Sequence, residues 1–368
     1  MSGMNTHMQS QISDKFNGTI YLFHAFDIGE DINFNKLRNF EDVSITPLQI
    51  PKYFKNYHTP LGIALPHPHT SPRCVSVKLH SFGALSLVYK LTYSDTLHNV
   101  RKDFNELVDT FEEQSVLDAK SIFQQIESAI SKPKFFETRA SYVLIQVNPE
   151  PDHINLKEFQ AQYSHIIAST LRFETEILSE EQTKEILESA VGYFKDERII
   201  IDTDVAFAYE EGYEEILDLL EFANIQRLEL QYFDRILDQQ LNKFYERQIK
   251  KLPLTAYIPL LSALSPNPIE ILGQLKVDIS VITERLENTI KLSGEPYFAE
   301  LYNLLIEKLD ITTWRTAIER KLDIIEDIQM MYQHKTDATR EDTLSLLVII
   351  LIFIELVIGL LHYLKQTH

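Results

Sequence analysis

The chain has a single cysteine, Cys74, and only ten glycines in 368 residues. One cysteine excludes an intramolecular disulfide and a cysteine-based zinc finger, and it fits a reducing compartment. So few glycines leave little material for phosphate-cradling turns, and no P-loop lysine motif, GxSxG or HExxH is present. Positive charge is also scarce, with 35 basic against 54 acidic residues and a formal net charge of −19. Such a body repels nucleic acid over a Debye length unless a basic patch overrides the total. The densest basic clusters, at Lys132 and Lys134 and at Arg247, Lys250 and Lys251, are short, so no direct nucleic-acid binding is expected. The start, MSGMNTHMQSQISDKF, has neither an apolar run nor an arginine, which argues against a secretory signal or a transit peptide.

One long apolar run stands against these absences. Leu344 to Leu364 reads LSLLVIILIFIELVIGLLHYL, 21 residues with one acidic member, Glu355. A helix needs about 20 apolar residues to cross the hydrocarbon core of a bilayer. The run therefore predicts a C-terminal transmembrane helix over 343–364 and a single-pass inner (cytoplasmic) membrane protein with most of the chain cytoplasmic. Lys321, Lys335 and Arg340 before the run, against Lys365 after it, agree with that orientation.

The rest of the chain divides by pattern. Residues 1–15 read as a disordered N-terminus and 16–212 as an α+β domain. Ile20–Phe26, Arg73–Leu79, Ala84–Leu91, Ser141–Val147 and Arg198–Ile201 have the β-branched and aromatic character of strands. His80–Gly83 suits a hairpin between the second and third. Pro60 to Pro72 must be a loop, because each proline removes a backbone donor. Helices are expected over 95–131 and from Leu156 onward, with capping-box spacing at Ser179 and Gln182. Residues 213–342 read as a helical hairpin or stalk with a proline-rich linker near 253–268. Its two long amphipathic stripes, Leu220 to Phe244 and Ile311 to Tyr332, are expected to pair antiparallel in a coiled-coil-like manner. The fold class is thus α+β: a mixed sheet-and-helix body, a long antiparallel helical hairpin and one transmembrane helix.

Candidate sites are few. Glu355, Gly359 and His362 share one helical face, where a small residue permits close approach and a carboxyl at bilayer depth must find a partner. On the hairpin, Arg227, Tyr232, Phe233, Asp234 and Asp238 are candidates for an interaction surface, against ordinary helix packing at even odds. His58, His67, His69 and Cys74 carry ligand chemistry for zinc but match no standard spacing, so a plain loop is the stronger reading. Asp202 and Asp204 after a strand suit Mg²⁺, though such pairs more often cap the next helix. The paired acids Glu180 and Glu181, and Glu210, Glu211, Glu214 and Glu215, sit where helices begin and favour the positive end of the helix dipole. No catalytic residue, metal site or cofactor emerges.

Leu219 to Glu246 (LLEFANIQRLELQYFDRILDQQLNKFYE), Arg320 to Gln333 (RKLDIIEDIQMMYQ), Leu351 to Leu356 (LIFIEL) and the weaker Tyr163 to Glu174 (YSHIIASTLRFE) resemble segments of the Required for Meiotic Nuclear Division (YagE-type) family. Residues 253–310 stand as an insertion in that pattern. The resemblance implies a single-pass membrane protein that assembles into large complexes, with mitochondrial members supporting organellar translation, and no established catalytic residues. The expectation is a non-enzymatic, oligomerising, membrane-tethered scaffold or adaptor. Its partners would be the lipid bilayer, further copies of itself, and a protein or ribonucleoprotein complex. The alternatives are an ion-conducting oligomer with Glu355 in the pore, or a tethered metal-dependent hydrolase using Asp202 and Asp204.

Overall fold

The computed structural model describes residues 15–46, 59–65, 73–149, 154–192, 194–248, 268–288 and 295–366. The expected disordered N-terminus (apart from its last residue, Lys15), His58, residues 66–72 of the proline-rich segment with His67 and His69, and nearly all of the expected 253–268 linker lie outside the described residues; the start of the segment expected to be a loop instead forms a short strand, Leu61–Ile63. The chain forms two compact units, Met1–Tyr232 with Arg285–Trp314 and Phe233–Glu284 with Arg315–His368.

The first unit is built on a sheet that, among the described residues, has nine strands in the order β2-β3-β4-β5-β1-β6-β9-β8-β7. The strands are β1 (Phe16–Asp27), β2 (Ile45–Thr46), β3 (Leu61–Ile63), β4 (Cys74–Leu79), β5 (Ala84–Asp95), β6 (Arg139–Val147), β7 (Ala190–Val191), β8 (Arg198–Ile201) and β9 (Val205–Tyr209). β1 lies in the middle, antiparallel to both β5 and β6, while β6 and β9 pair in parallel. Almost every residue of β1 is buried, the polar Thr19, His24 and Asp27 included, so both faces of the sheet are covered at its middle. Gly18 is required there, since a Cβ would fall 2.1 Å from the carbonyl oxygen of Gln146 on β6. β4 and β5 form the expected hairpin, whose turn needs Gly83 at φ +102°. Among the described residues both edge strands are two residues long.

Helices cover each face. α2 (Leu97–Ile126), α3 (Leu156–Leu171) and α4 (Glu180–Glu188) follow the short α1 (Phe34–Leu37). Phe104, Val108, Phe111 and Ile122 of α2, with Phe159, Tyr163 and Ile167 of α3, form one core cluster with Ile20, Leu22, Phe26, Leu87, Tyr89, Val143, Ile145 and Phe207 of the sheet. Asn155 and Glu158 cap α3 reciprocally, whereas Ser179 caps α4 through the amide of Gln182 alone. The opposite face takes the first part of α5 (Glu214–Gln248), through bonds from Ser86 to Glu221, Lys78 to Asp218 and Asn224 to the Ala140 carbonyl. In this unit α7 (Pro296–Lys308) packs against α5, with the Tyr302 hydroxyl 2.6 Å from Gln226 Oε1. Covered on both sides, α5 is buried at every position from Leu219 to Leu230.

The second unit contains the rest of α5, most of α6 (Pro268–Asn288) and most of α8 (Ile311–Gln366). Lys321 of α8 bridges Asp234 and Asp238 of α5 at 2.6 and 2.7 Å. Lys276 pairs with Glu326, and a Cβ on Gly273 would meet Gln329, so α6 and α8 run antiparallel. α7 and α8 are separated by a break at Asp310, which takes φ +54°.

The last part of α8 corrects an expectation. Among the described residues no helix is long and apolar enough to cross a membrane. The transmembrane element of the fold class, the single-pass description and the placement in the inner membrane by a C-terminal anchor are therefore not supported. What stands is a mixed α+β protein with a nine-stranded sheet and helices.

Candidate functional site

The first unit holds a cleft of about 590 Å³ between α2, the start of β6, the β8–β9 turn and α5. Its charged lining is Asp109 and Glu112 from α2, Arg139 from β6, Asp204 from the turn and Arg227 from α5, with Thr138, Ser141, Gln231 and Phe173 completing the walls. Arg139 pairs with Glu112, and Arg227 with Asp204 at 2.8 Å.

Arg227 is the fixed point of this cleft. Its side chain is only 10% exposed, and its two terminal nitrogens donate to the Thr203 carbonyl, Asp204 Oδ1, the Ser141 carbonyl and Asn224 Oδ1. A planar fork of donors suits such convergent carbonyl and carboxylate acceptors, and it ties α5 to β6 and to the turn. Asp202 is held separately, by Arg172 Nε at 2.8 Å and by the Thr203 amide. The two aspartates thus serve different guanidiniums, and no group of three or more metal-ligating side chains occurs among the described residues.

Behind the cleft lies a buried polar chain. His24 Nδ1 and Ser141 Oγ are 3.0 Å apart, and the Tyr89 hydroxyl donates to Asp118 at 2.7 Å, with Gln114 on the other Asp118 oxygen. A serine facing a cleft beside a histidine has the outline of a nucleophile and its base. Burial, and then the charge of Arg139, push His24 down to about 3, so its imidazole is too weak a base to activate a hydroxyl near neutral pH. Cys74 is inert for the opposite reason: burial and Asp118 push its thiol up to about 12, so neither thiolate metal binding nor nucleophilic attack is favoured.

Two further acids are perturbed. Burial raises Glu210 to about 7, with Glu197 adding negative charge, while its carboxyl accepts a 3.4 Å bond from the Tyr297 hydroxyl. Glu229 on α5 is held well above the carboxylate range by burial and by Asp27, and its Oε1 has no hydrogen-bond partner among the described residues.

The residues singled out from sequence scatter. Arg227 lines the cleft, Tyr232 packs edge-on against Phe136 at 5.5 Å, and Asp234 and Asp238 share Lys321 in the other unit, where Phe233 is buried. Glu355 is exposed, and nothing lies within 4 Å of a Cβ built on Gly359. The side chain of His362 lies outside the described residues. Arg139, Glu112, Asp109 and Ser141 carried no sequence signal, since each is an ordinary residue of a helix or strand until the fold brings them together.

The chain belongs to the family described as "Uncharacterized protein MJ0711, N-terminal domain", which matches residues 17–214. It is 27% identical over 259 residues to uncharacterized protein MJ0711 of Methanocaldococcus jannaschii, covering 68% of this chain and 74% of that protein. No solved structure matches it. The resemblance to the Required for Meiotic Nuclear Division family is thereby corrected: the match covers the sheet-bearing part, ahead of the three main segments that carried the likeness. Those segments are long helices rich in Leu, Ile and acidic residues, a pattern that helical periodicity produces in unrelated chains.

Proposed function

We propose that this protein is a non-enzymatic, self-assembling scaffold whose copies associate through the end of α8. One observation carries the reading: every position from Leu346 to Ile358 except Glu355 is a large apolar residue left exposed. At about 100° per residue these positions cover all sides of the helix, and a helix apolar all round is stable only when enclosed. The exposed area is on the order of 1,000 Å², above the roughly 300–600 Å² of a typical largest surface patch and enough for a stable interface. A second single helix would bury only one stripe, so a bundle of three or more copies fits better than a dimer.

Light scattering on the full-length chain tests this. A defined trimer or larger assembly is expected, falling to lower mass in the double variant Ile350→Asp, Val357→Asp. A monomeric parent chain would overturn it, and an assembly containing a different protein would replace self-association by an adaptor role.

A further inference from the structure

We infer that the cleft between α2, β6 and α5 binds a free basic amino acid of the arginine or lysine type. Three carboxylates (Asp109, Glu112, Asp204) against two guanidiniums (Arg139, Arg227) leave the lining with one net negative charge. A basic amino acid, with two cationic groups and one carboxylate, is the complement in sign and in number.

The two arginines are not equivalent. Arg227 spends both terminal nitrogens on four protein acceptors and acts as framework. Arg139 is 24% exposed along its side chain and is bonded to Glu112 through Nη2, which leaves Nη1 for a ligand carboxylate. Asp204 is half-exposed and gives Arg227 only Oδ1, so Oδ2 is open to a ligand cation. Asp109 is exposed and has no ion-pair partner among the described residues. The cleft thus presents one anion-binding and two cation-binding positions.

Phe173 closes one wall in a conformation that costs energy. It follows the end of α3 at φ +57°, where glycine is the usual residue, and its carbonyl is held by Asn105 at 2.9 Å. Its ring lies near-parallel to Phe104 at 5.3 Å. An aromatic face there suits a guanidinium or ammonium group.

Other ligand classes fit less well. A nucleotide or other polyanion would meet a net negative lining, and a polyamine would set cations against Arg139. The volume of about 590 Å³ lies in the range of small-molecule sites and exceeds what one amino acid needs, leaving room for water.

Isothermal titration of the full chain with L-arginine and L-lysine tests the inference, with agmatine, which lacks the carboxylate, and L-citrulline, which lacks the side-chain charge, as controls. Saturable one-site binding of at least one basic amino acid is expected, weakened about tenfold or more in both controls and in Asp109→Asn. Asp109 is exposed, so that variant folds, and circular dichroism checks it. No saturable binding up to about 10 mM overturns the inference. Equal binding of agmatine, or undiminished binding by Asp109→Asn, does so too. None of these outcomes depends on the self-assembly reading.

Discussion

The first half of α5 and the end of α8 are inverted with respect to each other. Between Glu221 and Glu229, α5 buries Glu221, Asn224, Gln226, Arg227 and Glu229 in the middle of a folded unit, while α8 leaves twelve large apolar side chains from Leu346 to Ile358 in the open. Residue type alone would assign the opposite placements. In α5 most of the polar groups have partners: Glu221 takes Lys78 and Ser86, Asn224 takes the Ala140 carbonyl, and Arg227 has four acceptors. The apolar side chains of α8 have no such compensation among the described residues, which is why an enclosing assembly is proposed for them. Buried polarity persists where hydrogen bonds satisfy it, and exposed apolarity where something else covers it.

The sharpest way to break the comparison is to remove the best-satisfied charge. Arg227→Met keeps the length of the stem but strands Asp204, Asn224 and the carbonyls of Ser141 and Thr203. The expected loss is about 3–5 kcal/mol, read from the urea midpoint of the full chain. A loss near zero would mean that water replaces the guanidinium and that the clamp is incidental.

Glu210 gives the next largest effect, with a definite sign. Its folded-state pKa of about 7 exceeds the ordinary 4.5, so between those values the folded protein holds a proton that the unfolded chain releases. Stability from this group is therefore fully present below about pH 4.5 and is lost as pH rises through about 7. Glu210→Gln has no proton to lose. It should exceed the parent by up to about 3 kcal/mol near pH 8 and converge with it below about pH 4.5. A constant difference across that range would show that packing against Tyr297, not ionisation, sets the effect.

Lys321 is an intermediate case, a cation largely covered by two aspartates in the second unit. Asp234 is 17% exposed but Asp238 is 53% exposed, so one ion pair is shielded from solvent and the other is not. Lys321→Met should cost about 1–2 kcal/mol, and added salt should shrink only the Asp238 part. Urea titrations of the parent, Lys321→Met and Asp238→Asn at low and high salt separate the two contributions.

How much of this was legible in the sequence depends on the range of the forces involved. Strands such as Ser141–Val147 and the β4–β5 hairpin are local patterns and could be read directly. β2, β3 and β7 have two or three residues each and carry no period, and the break at Asp310 rests on a left-handed aspartate with no glycine or proline to mark it. Arg227 stood out as a charge within an apolar stripe, but two of its acceptors are backbone carbonyls, 24 and 86 positions away. Carbonyls are chemically identical at every residue, so no sequence pattern names them. The same holds for Arg139 and Glu112, 27 positions apart and joined only once β6 lies beside α2. The C-terminal apolar run was visible from the start, yet length and hydropathy alone did not say what encloses it.

Glu355 is the complement of Arg227: a charge whose removal should barely affect the fold. It is exposed, and no salt bridge to it is found among the described residues. Glu355→Leu should leave the unfolding midpoint of the first unit within about 0.5 kcal/mol, the usual span for surface substitutions. Its effect belongs on association instead. In a bundle of copies the carboxylates are brought together, and like charges near one another oppose assembly. The leucine variant should therefore assemble at lower concentration than the parent. Light scattering over a dilution series of both chains checks this. If the leucine variant associates less well than the parent, Glu355 makes a specific contact between copies and does not merely tolerate their approach.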